Sequence, residues 1–204
     1  IGIKTINKSL NLTGDNNRFL RFFWEIDSEE IGKDRKWIFY AKGGAYKKWY
    51  GNFDYVINWS QDAVSFYRSD RTARIIPENL WWKEGVTCTK VTTSAPGFRL
   101  LPKEANYDVG GSSILFDDIE QVHRCMGFLN TPLATYLIRL LNTSVNIQVG
   151  DIEDLPDLSS KVNPKDVSRA IELSKTEWNM WESSFEFSGV KFEGKSFYES
   201  FKLF

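Results

Sequence analysis

The stretch Trp37-Ile38-Phe39-Tyr40-Ala41-Lys42-Gly43-Gly44-Ala45-Tyr46-Lys47-Lys48-Trp49-Tyr50-Gly51-Asn52 sets the reading of this 204-residue chain. Its first four residues are aromatic or β-branched and read as a buried strand. Gly43-Gly44 ends that strand, because a glycine pair takes φ > 0 and lets the backbone approach a neighbour closely. Two lysines follow, then Trp49, Tyr50 and Asn52. Ammonium groups suit phosphate and aromatic faces suit bases. The same composition also fits an ordinary turn with a solvated basic rim.

Working outward, residues 18–26 are rich in Phe and Trp and read as a strand, as do residues 53–59. Ser60 is a plausible N-cap for a short helix over 60–68. Further short strands are expected over 86–93, 98–101 and 113–116, with Ser94-Ala95-Pro96-Gly97 as a turn. After Phe116 the apolar spacing becomes helical. Residues 117–129 and 132–141 read as an αα-hairpin broken at Asn130-Thr131. Residues 145–148 read as a short strand. Asn163 caps a last helix reaching residue 182, with Pro164 at its first position. The expected class is α+β: a β-rich lobe with the helical hairpin over 1–157, then a helical extension over 158–204.

Composition excludes several functions. The two cysteines, Cys88 and Cys125, form no Cys-x-x-Cys pair, and His123 is the only histidine. A zinc finger or a His-based dyad needs more than this, so buried reduced thiols are expected. No apolar run reaches membrane-spanning length and no signal peptide opens the chain, so a cytoplasmic, membrane-free protein is expected. The start at Ile1 reads as a cut inside a longer protein. The formal net charge is −1, but it is unevenly spread. Residues 33–104 carry 13 Lys/Arg against 7 Asp/Glu, while residues 105–204 carry 9 against 15. Such an asymmetry permits a basic binding face on a neutral molecule.

Five further segments accompany the basic stretch in order. They are Leu12-Thr13-Gly14-Asp15-Asn16-Asn17-Arg18-Phe19-Leu20-Arg21, Trp82-Lys83-Glu84-Gly85-Val86-Thr87, Val109-Gly110-Gly111-Ser112-Ser113-Ile114, Gly127-Phe128-Leu129-Asn130-Thr131 and Asn146-Ile147-Gln148-Val149-Gly150-Asp151-Ile152-Glu153-Asp154-Leu155-Pro156. The set resembles the region that follows the methyltransferase domain in adenine-specific DNA methyltransferases of the BREX phage-defence system, the PglX type. Single-chain restriction–modification enzymes are also similar. The resemblance covers roughly residues 12–187. It implies a DNA target-recognition region that binds duplex DNA without catalysis and directs an upstream methyltransferase domain. That domain would hold the S-adenosylmethionine, and other defence proteins would be further partners. The Asn/Asp-Pro-Pro-Tyr/Phe segment that holds a flipped adenine is missing, because all six prolines are isolated. No cofactor site is therefore expected within the chain. Two rival readings are a protein-interaction module and the specificity domain of a fused restriction–modification enzyme.

On these grounds Lys42, Lys47 and Lys48 are candidate phosphate contacts, followed by Tyr50 and Asn52. An Asn amide can bond adenine in a bidentate way, and it can equally stabilise a turn. Arg71 and Arg74 lie in a polar stretch and fit guanine readout or a solvated surface. Lys90, Ser94 and Arg99 belong to a hydroxyl-rich strand and turn that fits a groove lining or an edge facing water. Trp49 reads as core. Gly189-Val190-Lys191-Phe192-Glu193-Gly194-Lys195-Ser196 matches the phosphate-cradling loop pattern, but it lacks the flanking strand and long helix, so it reads as a chance match. Asp151, Glu153, Asp154 and Asp157 do not fit a calcium loop and read as structural.

Overall fold

The computed structural model describes residue 3, residues 11–93 and residues 95–187. Two sheets and a set of helices share contiguous cores. The first sheet has the order β1-β3-β2-β6, from β1 (Leu20–Phe22), β2 (Trp37–Ala41), β3 (Tyr55–Asn58) and β6 (Ala105–Tyr107). β3 runs antiparallel to β1 and β2, whereas β6 joins the far edge of β2 in parallel. The second sheet has the order β5-β4-β7 and is fully antiparallel, from β4 (Gly85–Thr89), β5 (Phe98–Leu101) and β7 (Gly111–Leu115).

The period-2 geometry of strands divides each sheet's side chains between two faces. On one face of the first sheet, Leu20, Ile38, Tyr40 and Ile57 form a core with Ala63, Val64 and Tyr67 of helix α2 (Gln61–Ser69). On the second sheet, Val86, Cys88, Phe98 and Ile114 pack into the largest core, under helix α3 (Ile119–Leu129) and helix α4 (Pro132–Leu141). Leu101 and Leu115 point the other way and meet Ala41, Phe53 and Tyr107, joining the two sheets. The last helix, α6 (Pro164–Trp178), lies against α3, and its Val167 and Ile171 belong to that same largest core. Helix α1 (Asn16–Phe19) and helix α5 (Val149–Glu153) are short connectors.

Local signals explain most of these boundaries. The Ser60 hydroxyl accepts from the Ala63 N–H and starts α2, and Thr131 does the same for Ala134 at the start of α4. Asn163 accepts from the Lys165 N–H, with Pro164 opening α6. Four expectations need correction. Residues 18–26 hold only a three-residue strand, because the Glu25 carboxylate accepts from the Phe22 N–H and turns the chain into a 3₁₀ segment. β4 stops at Thr89, where the Lys90 N–H turns to the Gly110 carbonyl. Residues 145–148 make one isolated bridge, Val91 to Asn146, instead of a strand. α6 ends at Trp178, where the Asn179 N–H bonds back to Lys175 and its side-chain amide donates to Glu186. Both cysteines are buried and free, and burial pushes the Cys88 thiol up to about 12. Among the described residues no helix is long and apolar enough to cross a membrane.

Candidate nucleic-acid interface

The basic stretch leaves β2 through Gly43 at φ +97° and Gly44 at φ +123°. These two glycines are packed backbone to backbone against the second pair, Gly110-Gly111. A Cβ on Gly43 would stand 2.8 Å from the Gly110 carbonyl oxygen, and one on Gly111 would stand 2.4 Å from that of Ala41. The end of β2 and the start of β7 therefore cross with no room for a side chain. The Thr89 hydroxyl ties this crossing further by donating to the Gly44 carbonyl at 3.0 Å.

One group of candidates follows a seam built on this crossing. Leu12 and Arg74 exchange two backbone hydrogen bonds of 2.8 Å. The neighbouring Asn11 bridges Asp108, whose buried carboxylate pairs with Lys42 at 3.5 Å. Lys42 leads into Gly43, beneath which the Gly110 carbonyl accepts from the Lys90 N–H at 3.0 Å. Arg74, Lys42 and Lys90 thus succeed one another along a single seam. Arg71 and Arg74 are exposed and Lys90 is half-buried, and none of the three side chains has an ion-pair or hydrogen-bond partner among the described residues.

Lys47 and Lys48 point elsewhere and are already engaged. The Lys47 ammonium lies 3.1 Å from the Glu177 carboxylate and 5.7 Å over the Trp178 ring, both on α6. That contact holds the Glu177 carboxyl below its usual range. The Lys48 ammonium donates to the Asn130 carbonyl at 2.9 Å, and the Asn130 amide in turn grips both backbone groups of Phe98. Tyr50 packs at a tilt of 55° against Phe53, with its ring between two cores.

Two expected contacts are removed by burial. Asn52 is 7% exposed and sits at φ +64°, and its amide donates to the Ala45 carbonyl at 2.8 Å. That bond closes the loop over residues 45–52, so the turn-stabilising role is the one realised and no amide edge faces outward. Arg99 is 1% exposed, on the inner face of β5 between Thr87 and the bridge to Trp49. Burial depresses its guanidinium pKa, and its Nε has no hydrogen-bond partner among the described residues. Its guanidinium therefore lies inside the fold, away from the surface. Trp49, at φ +70°, packs on the large core as expected. Ser94 and the Gly189–Ser196 motif lie outside the described residues.

Sequence reading missed Asp108, Asn130, Glu177 and Trp178, the groups that hold the lysines. Lys47 and Glu177 lie 130 residues apart, so no local spacing announces the pair. Among the described residues no group of three His, Cys, Asp or Glu side chains is placed to hold a metal ion.

The fold and site define a two-sheet α+β lobe with a cationic seam and no methyl-transfer motif. No family model matches the chain. It is 30% identical over 190 residues to the adenine-specific methyltransferase BrxX of Escherichia coli O9:H4 (strain HS), a match covering 90% of this chain. It is 29% identical over 194 residues to the adenine-specific methyltransferase PglX of Lacticaseibacillus casei (strain Zhang), covering 86% of this chain. In each case the chain spans only 16% of the relative's length. The chain is therefore similar to a segment of these adenine-specific methyltransferases, the relationship that the ordered motifs implied.

Proposed function

We propose that this chain is the DNA target-recognition region of an adenine-specific methyltransferase of the BREX phage-defence type. It binds duplex DNA without catalysis and directs methylation by a catalytic domain outside this chain. The carrying observation is the likeness of about nine-tenths of the chain to proteins named adenine-specific methyltransferases, in a sequence without the methyl-transfer segment.

The cationic seam gives the proposal its chemistry. Phosphate contacts position a protein on a duplex and base contacts specify the sequence. Arg71, Arg74 and Lys90 have no partner among the described residues to give up, so they reach phosphate without breaking a described pair. Lys42 supplies a further contact by leaving Asp108. S-adenosylmethionine would serve the whole enzyme, but the residues present do not fit it. Both glycine pairs at the seam are filled by facing backbone and form no cradle.

Selection from a randomised duplex pool tests the reading. Sequencing of the bound fraction is expected to return one short, adenine-containing site. An unenriched pool, with the chain folded, would refute it. A second reading, docking onto another protein, is favoured by one observation. Helix α4 exposes Leu133, Tyr136, Leu140 and Leu141, each half or more open to solvent. Under that reading a double change such as Tyr136→Lys with Leu140→Lys abolishes complex formation and leaves DNA selection intact.

A further inference from the structure

Between the first sheet and α6 lies a cavity of about 390 Å³. Its walls are the rings of Phe39, Tyr50, Phe53, Trp178 and Phe185, and Glu104 stands among them. Three facts define its chemistry. The Glu104 carboxylate has no hydrogen-bond or ion-pair partner among the described residues and adds a negative charge to the lining. Lys175 and Glu186, also in the lining, neutralise each other at 2.9 Å, and Glu186 is further held by the Asn179 amide at 2.7 Å. The Lys175 ammonium already stands 5.6 Å over the Tyr50 ring, so a cation on this aromatic face is part of the resting structure. The side chains of Lys175 and Glu186 are 42% and 47% exposed, which leaves the mouth open to water.

We infer that this cavity binds a small organic cation, an alkylammonium or guanidinium head. Aromatic faces attract cations through their quadrupoles, and the attraction grows as the cation is desolvated. Here several aromatic side chains line the space, the Tyr50 face already carries an ammonium, and the Glu104 carboxylate supplies a counter-charge. The neighbouring ionisation agrees. Burial first, and then the carboxylates of Glu186 and Glu104, push the Tyr50 hydroxyl up to about 12; the field of the two carboxylates is the part that disfavours an anion. An anionic ligand, including a nucleic-acid phosphate, would meet that same field. The cavity is thus a site separate from the cationic seam, and its ligand has the opposite charge preference. The inference does not rest on the DNA-binding reading.

Calorimetric titration of the 204-residue protein tests it. Choline is the alkylammonium probe, ethylguanidine the guanidinium probe, and dimethylbutanol the uncharged isostere of choline. Both cations are expected to bind saturably, with the isostere at least about fivefold weaker. Glu104→Gln should weaken both cations by about fivefold and leave the melting temperature unchanged, because the carboxylate has no partner among the described residues. Lys175→Met should strengthen both, by removing the resident ammonium and freeing Glu186. Tighter binding of choline than ethylguanidine would assign the site to alkylammonium ligands, and the reverse order to guanidinium ligands. No saturable binding of either cation, equal binding of the isostere, or unchanged affinity in Glu104→Gln would each overturn the proposal.

Discussion

Gly43→Ala tests the glycine crossing that builds the cationic seam. Two costs apply to the added methyl. Gly43 sits at φ +97°, where a residue with a Cβ is strained by about 1 kcal/mol or more. Its Cβ would also stand 2.8 Å from the Gly110 carbonyl oxygen and 3.2 Å from the Thr89 methyl. The first of these is turn backbone just ahead of β7, held by the Lys90 N–H, so relief requires that turn to move, an overpacking cost of about 1–3 kcal/mol. Together the loss is about 2–4 kcal/mol, or about 6–12 °C in melting temperature for a chain of this size. Gly150→Ala is the matched control. Gly150 lies within α5 with nothing within 4 Å of an added Cβ, so alanine should stabilise by about 0.5–1 kcal/mol. Denaturant unfolding followed by tryptophan fluorescence measures both. If Gly43→Ala stays within about 0.5 kcal/mol of the parent, or if both variants move the same way, the crossing is not as described.

Three further outcomes follow from named contacts. Arg99→Met replaces a buried guanidinium lacking an ion pair with an apolar chain of similar length, so stability should hold or rise by about 1 kcal/mol while DNA affinity is unchanged. A loss of affinity without a loss of stability would return Arg99 to the interface. Glu177→Gln frees the Lys47 ammonium from its pair at 3.1 Å, so DNA affinity should rise by about two- to fivefold at low salt, with the gain vanishing at high salt. Weaker binding would contradict the competition between Glu177 and phosphate. Burial lowers the His123 pKa below its ordinary value, outweighing the opposing fields of Glu84 and Asp118. The unfolded chain then takes up a proton that the folded chain refuses. Stability should be full above the ordinary histidine range and fall as pH drops through it, and His123→Gln should flatten that part of a melting-temperature profile.

The parts legible in the sequence were those decided by a few neighbouring residues. Ser60, Thr131 and Asn163 cap their helices through bonds spanning two or three positions, and the glycine pairs mark turns. What escaped was decided across the fold. β6 is three residues, Ala105–Tyr107, all buried and without alternation, and only the β2 edge makes it a strand. Asn52 and Arg99 looked like readers of DNA because their chemistry suits it. The packing of β5 and the closure of residues 45–52 spend them inside. Lys47 and Lys48 read as candidate phosphate contacts, yet their partners Glu177 and Asn130 lie far along the chain. Charge type is written locally, whereas charge availability is a property of the folded surface.

The most direct test of the central claim is the salt dependence of duplex binding, measured by fluorescence anisotropy for the parent chain and for Arg74→Ala with Lys90→Ala. Removing one cation that neutralises a phosphate should reduce the slope of log affinity against log salt by about 0.9. The account predicts steep salt dependence in the parent and a slope shallower by about twice that amount in the double variant. Unchanged slopes, or no binding even at low salt by a folded chain, would contradict it.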